Sequence, residues 1–310
     1  MDLVFCGTPQ FAVPALAAVV DAGHAVKLVV CKPDRPSGRG HELSVPAVKQ
    51  EAQALGLAVG QPDKIRENAG FRTRLEEIAP QAIVVVAYGR IIPAWMLALP
   101  PHGNLNVHAS LLPKYRGAAP IQWAIARGEK TTGVSIMQLD EGLDTGPVFL
   151  QKELAIQPED TAVTLSPRLA ALGAALLVET LRQIEAGARP RPQEQSRATL
   201  APLLKKEDGR VDFCLFAETI ANRLRGFQPW PGAYTRFRGK HLQIIRAAVA
   251  TAGASPAPAE LLVRDRQLLA GCASGSGLEL LELQLEGKKR MGAAEFINGY
   301  HLQSGERLGA

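Results

Sequence analysis

The chain has 310 residues, of which 46% are hydrophobic and 21% charged, and its net charge is +5. This composition excludes a disordered chain, and the length suits one large domain or two ordinary ones. There is no secretory leader and no apolar stretch of about 18 residues, so we expect a cytoplasmic protein without a membrane span. Cys6, Cys31, Cys214 and Cys272 are far apart and form no Cys/His cluster, which argues against structural zinc.

The first part of the chain alternates apolar runs with helical patterns. Continuous Val-, Ile- and Leu-rich strands separated by helices predict a mostly parallel sheet that is covered on both faces, as in α/β domains. Ser166 and Pro167 predict the start of a long helix that ends near Gly187. The predicted strands are 2–6, 25–31, 82–87, 104–107, 132–139 and 148–156, the last two antiparallel at one edge, and the other predicted helices are 10–22, 45–56, 66–78 and 119–127.

The second part of the chain has a different pattern. Residues 1–188 are predicted to form the first domain, and the proline-rich residues 189–207 a linker. Residues 208–310 begin with a helical pattern at 216–227, and short strands with Gly and Pro turns follow it, which predicts a small β-barrel. The predicted strands are 233–238, 241–249, 260–264, 267–272 and 278–285, with a mobile loop at 250–259.

The charge is distributed unevenly between the two parts. Residues 1–188 hold 17 Lys and Arg against 18 Asp and Glu, whereas residues 189–310 hold 18 against 12. A neutral first part joined to a basic second part favours a catalytic domain followed by a domain that binds a polyanion. The same excess is also typical of ordinary solvated surfaces, so charge alone leaves nucleic-acid binding open.

Three polar residues follow predicted strands. Asn106 and His108 lie two residues apart, so their side chains point to the same face of a strand, and open parallel sheets bind ligands beyond the carboxyl ends of their strands. Asp144 follows another strand in the turn-rich segment DEGLDTG, where its carboxylate can pair with the imidazole and hold its charged form. Taken singly, each residue also has an ordinary structural interpretation.

These residue types suit acyl or formyl transfer to an amine, which requires an oxyanion donor and two proton transfers. Asn106 can donate an amide hydrogen to the oxyanion, His108 a second hydrogen bond or a proton, and Asp144 can accept a proton directly or through water. No Ser or Cys lies in a G-x-S-x-G setting, which favours direct transfer. Neither a dinucleotide fingerprint nor a Walker motif is present, which argues against nicotinamide and nucleoside-triphosphate chemistry.

Two motifs carry a resemblance to a known family. Residues 106–117 read NVHASLLPKYRG and residues 140–146 read DEGLDTG, and together they resemble the signature of the folate-dependent formyltransferases. The resemblance extends over nearly the whole chain through FCGTPQFAVPAL (5–16), PDRPSGRG (33–40), VVVAYGRIIP (84–93), RGFQPWPGAY (225–234) and EGKKRMGAAEFING (286–299).

The resemblance implies a fold, a formyl donor and a set of site residues. It implies a Rossmann-like N-terminal domain, an OB-like C-terminal barrel, and 10-formyltetrahydrofolate as cosubstrate without a metal. Asn106, His108 and Asp144 match the catalytic residues of the family. Main-chain groups are expected to bind the flat, polar pterin ring. The folate-binding residues that the resemblance implies are Ser110, Leu111, Leu112, Pro113, Ala87, Tyr88, Gly89, Ile91, Asp140 and Gly142.

The resemblance also implies the formyl acceptor, which is the amino group of methionine on initiator tRNA. A monomer that binds the acceptor arm of this tRNA is expected, with no membrane partner. His41 and Glu42 follow the 33–40 loop where relatives carry further basic residues, so the share of RNA binding that this loop supplies stays open. The implied tRNA-binding residues are Arg35, Arg39, Lys205, Lys206, Lys288, Lys289 and Arg290.

Two alternatives keep part of this interpretation. The acceptor could be a glycinamide ribonucleotide or an amino-sugar nucleotide, but the first needs no basic second domain, and RGFQPWPGAY resembles the tRNA-dependent enzymes rather than the second. A catalytically inactive RNA-binding protein is the alternative from another class. The presence of Asn106, His108 and Asp144 together argues against it.

Overall fold

The computed structural model describes residues 1–37, 42–251 and 256–309. Arg39, which the sequence assigns to tRNA binding, lies outside the described residues, as do residues 252–255 of the predicted loop at 250–259. The strands are β1 (Asp2–Gly7), β2 (Ala25–Val30), β3 (Arg35–Ser37), β4 (Glu42–Ser44), β5 (Val59–Gly60), β6 (Ala82–Val86), β7 (Asn104–His108), β8 (Thr131–Gln138), β9 (Val148–Ala155), β10 (Ala233–Phe237), β11 (Lys240–Val249), β12 (Leu261–Arg264), β13 (Gln267–Gly271), β14 (Gly277–Leu285) and β15 (Met291–Gly292). The helices are α1 (Val13–Asp21), α2 (Ala47–Ala54), α3 (Ala69–Ile78), α4 (Ala94–Leu97), α5 (Pro120–Ala126), α6 (Ala162–Glu185), α7 (Ala217–Gly226) and α8 (Ala293–Tyr300).

These elements belong to two compact units. Unit 1 consists of Met1–Gly117, Thr131–Ala155 and Ser166–Ala201, and unit 2 of Ala118–Lys130, Ile156–Leu165 and Pro202–Ala310. Unit 2 is therefore built from three separate stretches of the chain.

A seven-stranded sheet forms the centre of unit 1, in the order β5-β2-β1-β6-β7-β8-β9. The first five strands in this order, from β5 through β2, β1 and β6 to β7, are parallel to one another. β8 and β9 are antiparallel to their neighbours. β6 is buried along its whole length, as continuous apolar strands in a doubly covered sheet are. The predicted Rossmann-like sheet with two antiparallel edge strands is confirmed.

The register of β7 and β8 decides how Asp144 reaches the carboxyl end of β7. β8 runs antiparallel to β7, with Gln138 opposite Leu105 and Ser135 opposite His108. The loop after β8 thus starts about 10 Å from His108, near the amino end of β7, whereas His108 lies at its carboxyl end. It must run back along the sheet before β9 begins beside Met137 at Val148.

Helix α6 begins at Ala162, earlier than the sequence predicts. Thr161 and Thr164 cap it reciprocally, because the Thr164 N–H donates to Thr161 Oγ1 at 3.3 Å and the Thr161 N–H donates to Thr164 Oγ1 at 2.9 Å. The predicted start at Ser166 was wrong, and Pro167 lies inside the helix. A cap that satisfies the first backbone donors one turn earlier sets the true start.

Helix α6 is also long and apolar enough to cross a membrane by length and composition, although no continuous apolar stretch of that length was expected. It is the one such helix within the described parts of the chain, and 44% of its most apolar window is buried in the fold. Gly173 faces β7 and β8 so closely that a Cβ there would stand 2.7 Å from Val107 Cγ1 and 3.5 Å from Val134 Cγ1. The helix is thus a core helix that covers the sheet, a position that explains its apolar composition.

An antiparallel sheet in the order β10-β11-β14-β13-β12 forms the centre of unit 2, with β15 paired to β14. The C-terminal segment joins its two outer strands, since Leu308 bridges Phe237 of β10, and Arg307 bridges Glu260 beside β12. Leu and Phe side chains fill the interior, among them Leu242, Leu280 and Phe296. The predicted small β-barrel is confirmed.

Candidate active site

Strand β7 places Asn106 and His108 on one face at its carboxyl end. The Asn106 side chain is partly exposed, whereas His108 is buried at 5% exposure. Among the described residues, no side-chain hydrogen bond occupies the Asn106 amide. A solvent-accessible amide beside a buried imidazole leaves a donor free to meet a ligand.

Both ring nitrogens of His108 face oxygen atoms. Nε2 lies 2.9 Å from the Tyr115 carbonyl oxygen, which only accepts, so Nε2 carries a proton. Nδ1 lies 3.6 Å from Asp144 Oδ2, at ion-pair distance. Both neighbours are hydrogen-bond acceptors, so the ring is held between two oxygen atoms.

The Asp144 side chain turns into unit 1 rather than into solvent. Its Oδ2 accepts a 2.7 Å hydrogen bond from the Gly117 N–H, so one oxygen faces both this backbone donor and the imidazole. Asp144 itself has φ +51°, in the left-handed region that Asp tolerates better than most residues. Asp140 closes the loop through the Thr145 hydroxyl at 2.8 Å and the Gly142 N–H at 3.1 Å.

The segment from Ser110 to Pro113 is held by polar side chains of the edge strands. Ser135 Oγ donates to the Ser110 carbonyl at 2.6 Å and accepts from the Leu112 N–H at 3.0 Å. Gln151 Nε2 donates to the Leu112 carbonyl at 2.8 Å. Ser110 is fully buried, and its hydroxyl donates to the Lys114 carbonyl, so this side chain serves the turn.

The turn after β6 presents backbone rather than side chains at several positions. Ala87 and Gly89 both have positive φ, +46° and +68°. The Tyr88 side chain is buried in the apolar core with its hydroxyl unpaired among the described residues, and this burial raises the pKa of Tyr88. Ile91 is 92% exposed. β6 and β7 are parallel neighbours, so this turn and His108 share one edge of the sheet.

The predicted basic residues lie in separate segments of the chain. Arg35 is exposed on β3 in unit 1. Lys205 and Lys206 are exposed at the start of the third stretch of unit 2, and the run Lys288–Arg290 is exposed in the turn between β14 and β15. Among the described residues, no group of His, Cys, Asp and Glu side chains could hold a metal ion.

Several polar residues at this site were not identified from the sequence. Ser135 stands out as a polar residue within a buried strand, which is a usable hint. Arg116 and Gln193 lie in a turn and in the predicted linker, and nothing in their sequence neighbourhood indicates that they contact each other. They do contact each other, and Gln193 also reaches the Asp144 loop.

Comparison with known protein families defines the class first. Residues 1–181 match the family model described as formyl transferase, and residues 203–301 match that described as formyl transferase, C-terminal domain. The sugar 3N-formyl transferase WlaRD, crystallised with dTDP and 5-N-formyl-THF, shares the fold with a TM-score of 0.65 at 17% identity. That match covers 93% of this chain and 99% of WlaRD.

Full-length relatives define the particular family. The methionyl-tRNA formyltransferase of Koribacter versatilis is 59% identical over 310 residues, covering 100% of this chain and 99% of the relative. That of Acidobacterium capsulatum is 57% identical over 311 residues, covering all of both chains. The chain belongs to the methionyl-tRNA formyltransferase family and is a formyl-transferring enzyme.

Proposed function

We propose that this enzyme transfers the formyl group of 10-formyltetrahydrofolate to the amino group of methionine on initiator tRNA, in the cytoplasm and as a monomer. The proposal rests on the close approach of three side chains, those of Asn106, His108 and Asp144, in a chain of the formyltransferase family. The Asn106 amide and the His108 imidazole share one face of β7, and Asp144 Oδ2 lies 3.6 Å from His108 Nδ1.

In the proposed reaction the methionine nitrogen attacks the formyl carbon directly. A new C–N bond forms and the formyl oxygen becomes an oxyanion, which Asn106 Nδ2–H stabilises together with His108. Since the Tyr115 carbonyl occupies Nε2, Nδ1 is the ring nitrogen that serves the oxyanion and exchanges a proton with Asp144. Asp144 takes the proton of the attacking amine and passes it through His108 Nδ1 to the folate nitrogen; as the bond from that nitrogen to the formyl carbon breaks, the oxyanion reverts to the formyl carbonyl.

We assign the folate to the edge of the sheet where β6 and β7 end. The Ser110–Pro113 segment would bind the folate, and the backbone of Ala87–Ile91 and of the loop at Asp140–Asp144 would hold its pterin ring, whose donors and acceptors suit main-chain groups. Ile91 and Leu143 are exposed apolar side chains in these segments, at 92% and 62%, and would cover a flat ring.

We assign tRNA binding to a basic C-terminal domain, residues 208–310, and to the segment 189–207 before it. Residues Lys205, Lys206, Lys288, Lys289 and Arg290 are exposed and would contact phosphates of the acceptor arm. Arg35, together with Arg39 outside the described residues, would contact the same arm. Phosphate contacts of this kind supply affinity, while unpaired nucleotides supply selectivity.

The experiment that tests the proposal is a formylation assay with purified protein, 10-formyltetrahydrofolate and charged initiator tRNA. Formyl-methionyl-tRNA is the expected product, and uncharged tRNA is the control. Product with a glycinamide ribonucleotide or an amino-sugar nucleotide, but none with methionyl-tRNA, would replace the proposed acceptor.

A further inference from the structure

The side chain of Gln193 joins a buried arginine to the loop that carries Asp144. Its Nε2 donates to the Asp144 carbonyl at 2.9 Å and to the Gly146 carbonyl at 2.7 Å. Its Oε1 accepts from Arg116 Nη2 at 2.7 Å and from Nε at 3.1 Å. One amide group therefore makes four hydrogen bonds within unit 1.

The chemistry of the partners fixes which way this amide points. A guanidinium only donates and a carbonyl only accepts, so Oε1 must face Arg116 and Nε2 must face the loop. Arg116 is 6% exposed and is itself oriented by a second amide, since its Nη1 donates to Gln195 Oε1 at 2.8 Å. The reverse orientation of Gln193 would break all four hydrogen bonds.

The chain around Gln193 is tied to unit 1 on both sides. Arg191 and Val148 exchange two backbone hydrogen bonds of 2.8 Å. Further along, the Thr199 hydroxyl accepts from the Tyr115 N–H at 2.9 Å, and the Ala201 N–H donates to the Arg116 carbonyl at 2.7 Å. Gln193 thus sits on a backbone that is held in place and can act as a fixed support.

What Gln193 supports is an unfavourable backbone conformation. Asp144 has φ +51°, and left-handed backbone costs a non-glycine residue on the order of 1 kcal/mol. The two carbonyls that Gln193 holds flank Thr145, so they fix the peptide planes on both sides of the turn that follows Asp144. Without them the turn can relax, and the carboxylate then leaves its place beside His108.

We propose that Gln193 is a positioning residue for the Asp144 carboxylate, oriented by Arg116 and acting from the segment that precedes the tRNA-binding domain. The inference rests on the proposed function for its effect on turnover, but its geometric part is independent of substrate. It gives the predicted linker an indirect role in the reaction, through the position of Asp144.

The first test is the isosteric variant Gln193→Glu, which keeps the pair with Arg116 but points a carboxylate at two carbonyl oxygens. We expect kcat for methionyl-tRNA formylation to fall on the order of 10²-fold, since small displacements of reacting groups have effects of this size. KM for tRNA and for 10-formyltetrahydrofolate should stay near wild type. Gln193→Leu, which loses all four hydrogen bonds, should show the same split.

The second test needs no substrate. In the free protein, the ring resonances of His108, assigned with His108→Gln, should shift in both Gln193 variants because the carboxylate beside Nδ1 moves. Gln183→Leu is the matched control: it removes the 2.7 Å hydrogen bond from Gln183 Nε2 to Glu179 Oε1 on α6 but no contact to Arg116 or to the loop, and should leave the resonances and kcat close to wild type.

The outcomes separate the two claims. Unshifted His108 resonances in Gln193→Glu, or a loss of kcat that only follows a lower Tm, would overturn the positioning role. A wild-type protein that fails to formylate methionyl-tRNA would instead contradict the proposed function. In that case the resonances still decide whether Gln193 holds Asp144.

Discussion

Asn104 and Asn106 lie only two residues apart on strand β7, yet the first has a structural role and the second is available for chemistry. Asn104 is 1% exposed, and its Nδ2 donates to the carbonyls of Met96 at 2.9 Å and Leu97 at 3.1 Å. Asn106 is partly exposed, with an amide that no described side-chain hydrogen bond occupies. The first ties α4 to the sheet, whereas the second is available to a substrate.

This contrast predicts opposite effects of the same substitution. Asn106→Asp replaces the proposed oxyanion donor with a negative charge, so kcat should fall on the order of 10²- to 10³-fold with Tm and tRNA affinity unchanged. Asn104→Asp keeps the shape but loses two buried donors and should cost about 1–3 kcal/mol of stability. Steady-state kinetics and thermal unfolding measure both variants. An Asn106→Asp enzyme that is fully active, or that loses Tm as Asn104→Asp does, would remove Asn106 from the reaction.

At the scale of elements, the hairpin of β3 and β4 depends on a polar anchor at its base. Asp34 Oδ2 accepts from Lys49 Nζ at 2.6 Å, and Oδ1 accepts from Gln61 Nε2 at 2.7 Å. Gln61 also donates to the Lys32 carbonyl at 2.9 Å. The anchor joins the start of the hairpin to α2 and to the segment after β5. It therefore fixes the position of the backbone at Arg35, where β3 begins.

Removal of this anchor should weaken the binding of tRNA and leave the binding of folate unchanged. We expect Asp34→Ala to raise KM for methionyl-tRNA by about tenfold, which corresponds to the loss of one hydrogen bond to a charged group. Kinetics with each substrate varied in turn measure this. Glu76→Ala, which removes the 2.7 Å pair with Arg72 on α3, is the matched control. Equal changes in both variants would contradict a role for the hairpin.

The anchor should be insensitive to pH in the neutral range. Hydrogen bonds from Lys49 and then Gln61 hold the pKa of Asp34 below its ordinary value. A group with a lowered folded pKa contributes stability above its unfolded pKa and loses it as pH falls through the folded pKa. KM for tRNA should therefore not vary between pH 6 and 8 because of Asp34, and Asp34→Asn should show the raised KM at every pH in this range.

At the scale of the whole molecule, the charge excess of residues 189–310 should govern RNA binding through salt. Lys288, Lys289 and Arg290 are exposed, and the described residues give none of them an acidic partner. If each neutralises one phosphate, the triple change to Ala should lower the slope of log affinity against log salt by about 2 to 3. Titration of labelled initiator tRNA at several salt concentrations measures the slope.

A charge-matched triple in unit 1 is the control for this prediction. Lys64, Arg66 and Arg74 are also exposed, and their change to Ala alters the net charge by the same amount. The slope should stay near that of wild type. The same drop for both triples would show that net charge, rather than the run at Lys288–Arg290, sets tRNA affinity.

Local sequence patterns predicted most of the helices and strands. They missed features that depend on contacts between residues far apart in the chain. Continuous Val, Ile and Leu runs predicted the parallel strands, because a doubly covered sheet needs apolar residues on both faces. The pair Asn106 and His108 followed from period-two geometry alone. The early start of α6 was missed because Thr161 and Thr164 form an unusual cap without Glu or Gln.

The pairing of Asp144 with His108 was predicted from the position of Asp144 after a strand, without the register of that strand. β8 ends beside Leu105, so the loop after it must run back along the sheet for Asp144 to reach His108. Gln193 was assigned to a linker because its partner Asp144 is 49 residues away, and composition carries no information at that distance. The roles of the site residues stay predictions that the variants above test.

The C-terminal segment, which bridges β10 through Leu308 and the residue before β12 through Arg307, limits how far this chain can be shortened. Leu308 pairs with β10, Arg307 pairs beside β12, and Glu306 holds Arg238 at 2.8 Å. Deletion of residues 305–310 would leave both flanking strands with bare N–H and C=O groups, which readily pair with another copy of the same edge. Self-association of such a truncated chain would then be the first sign of damage, ahead of any loss of formyl transfer.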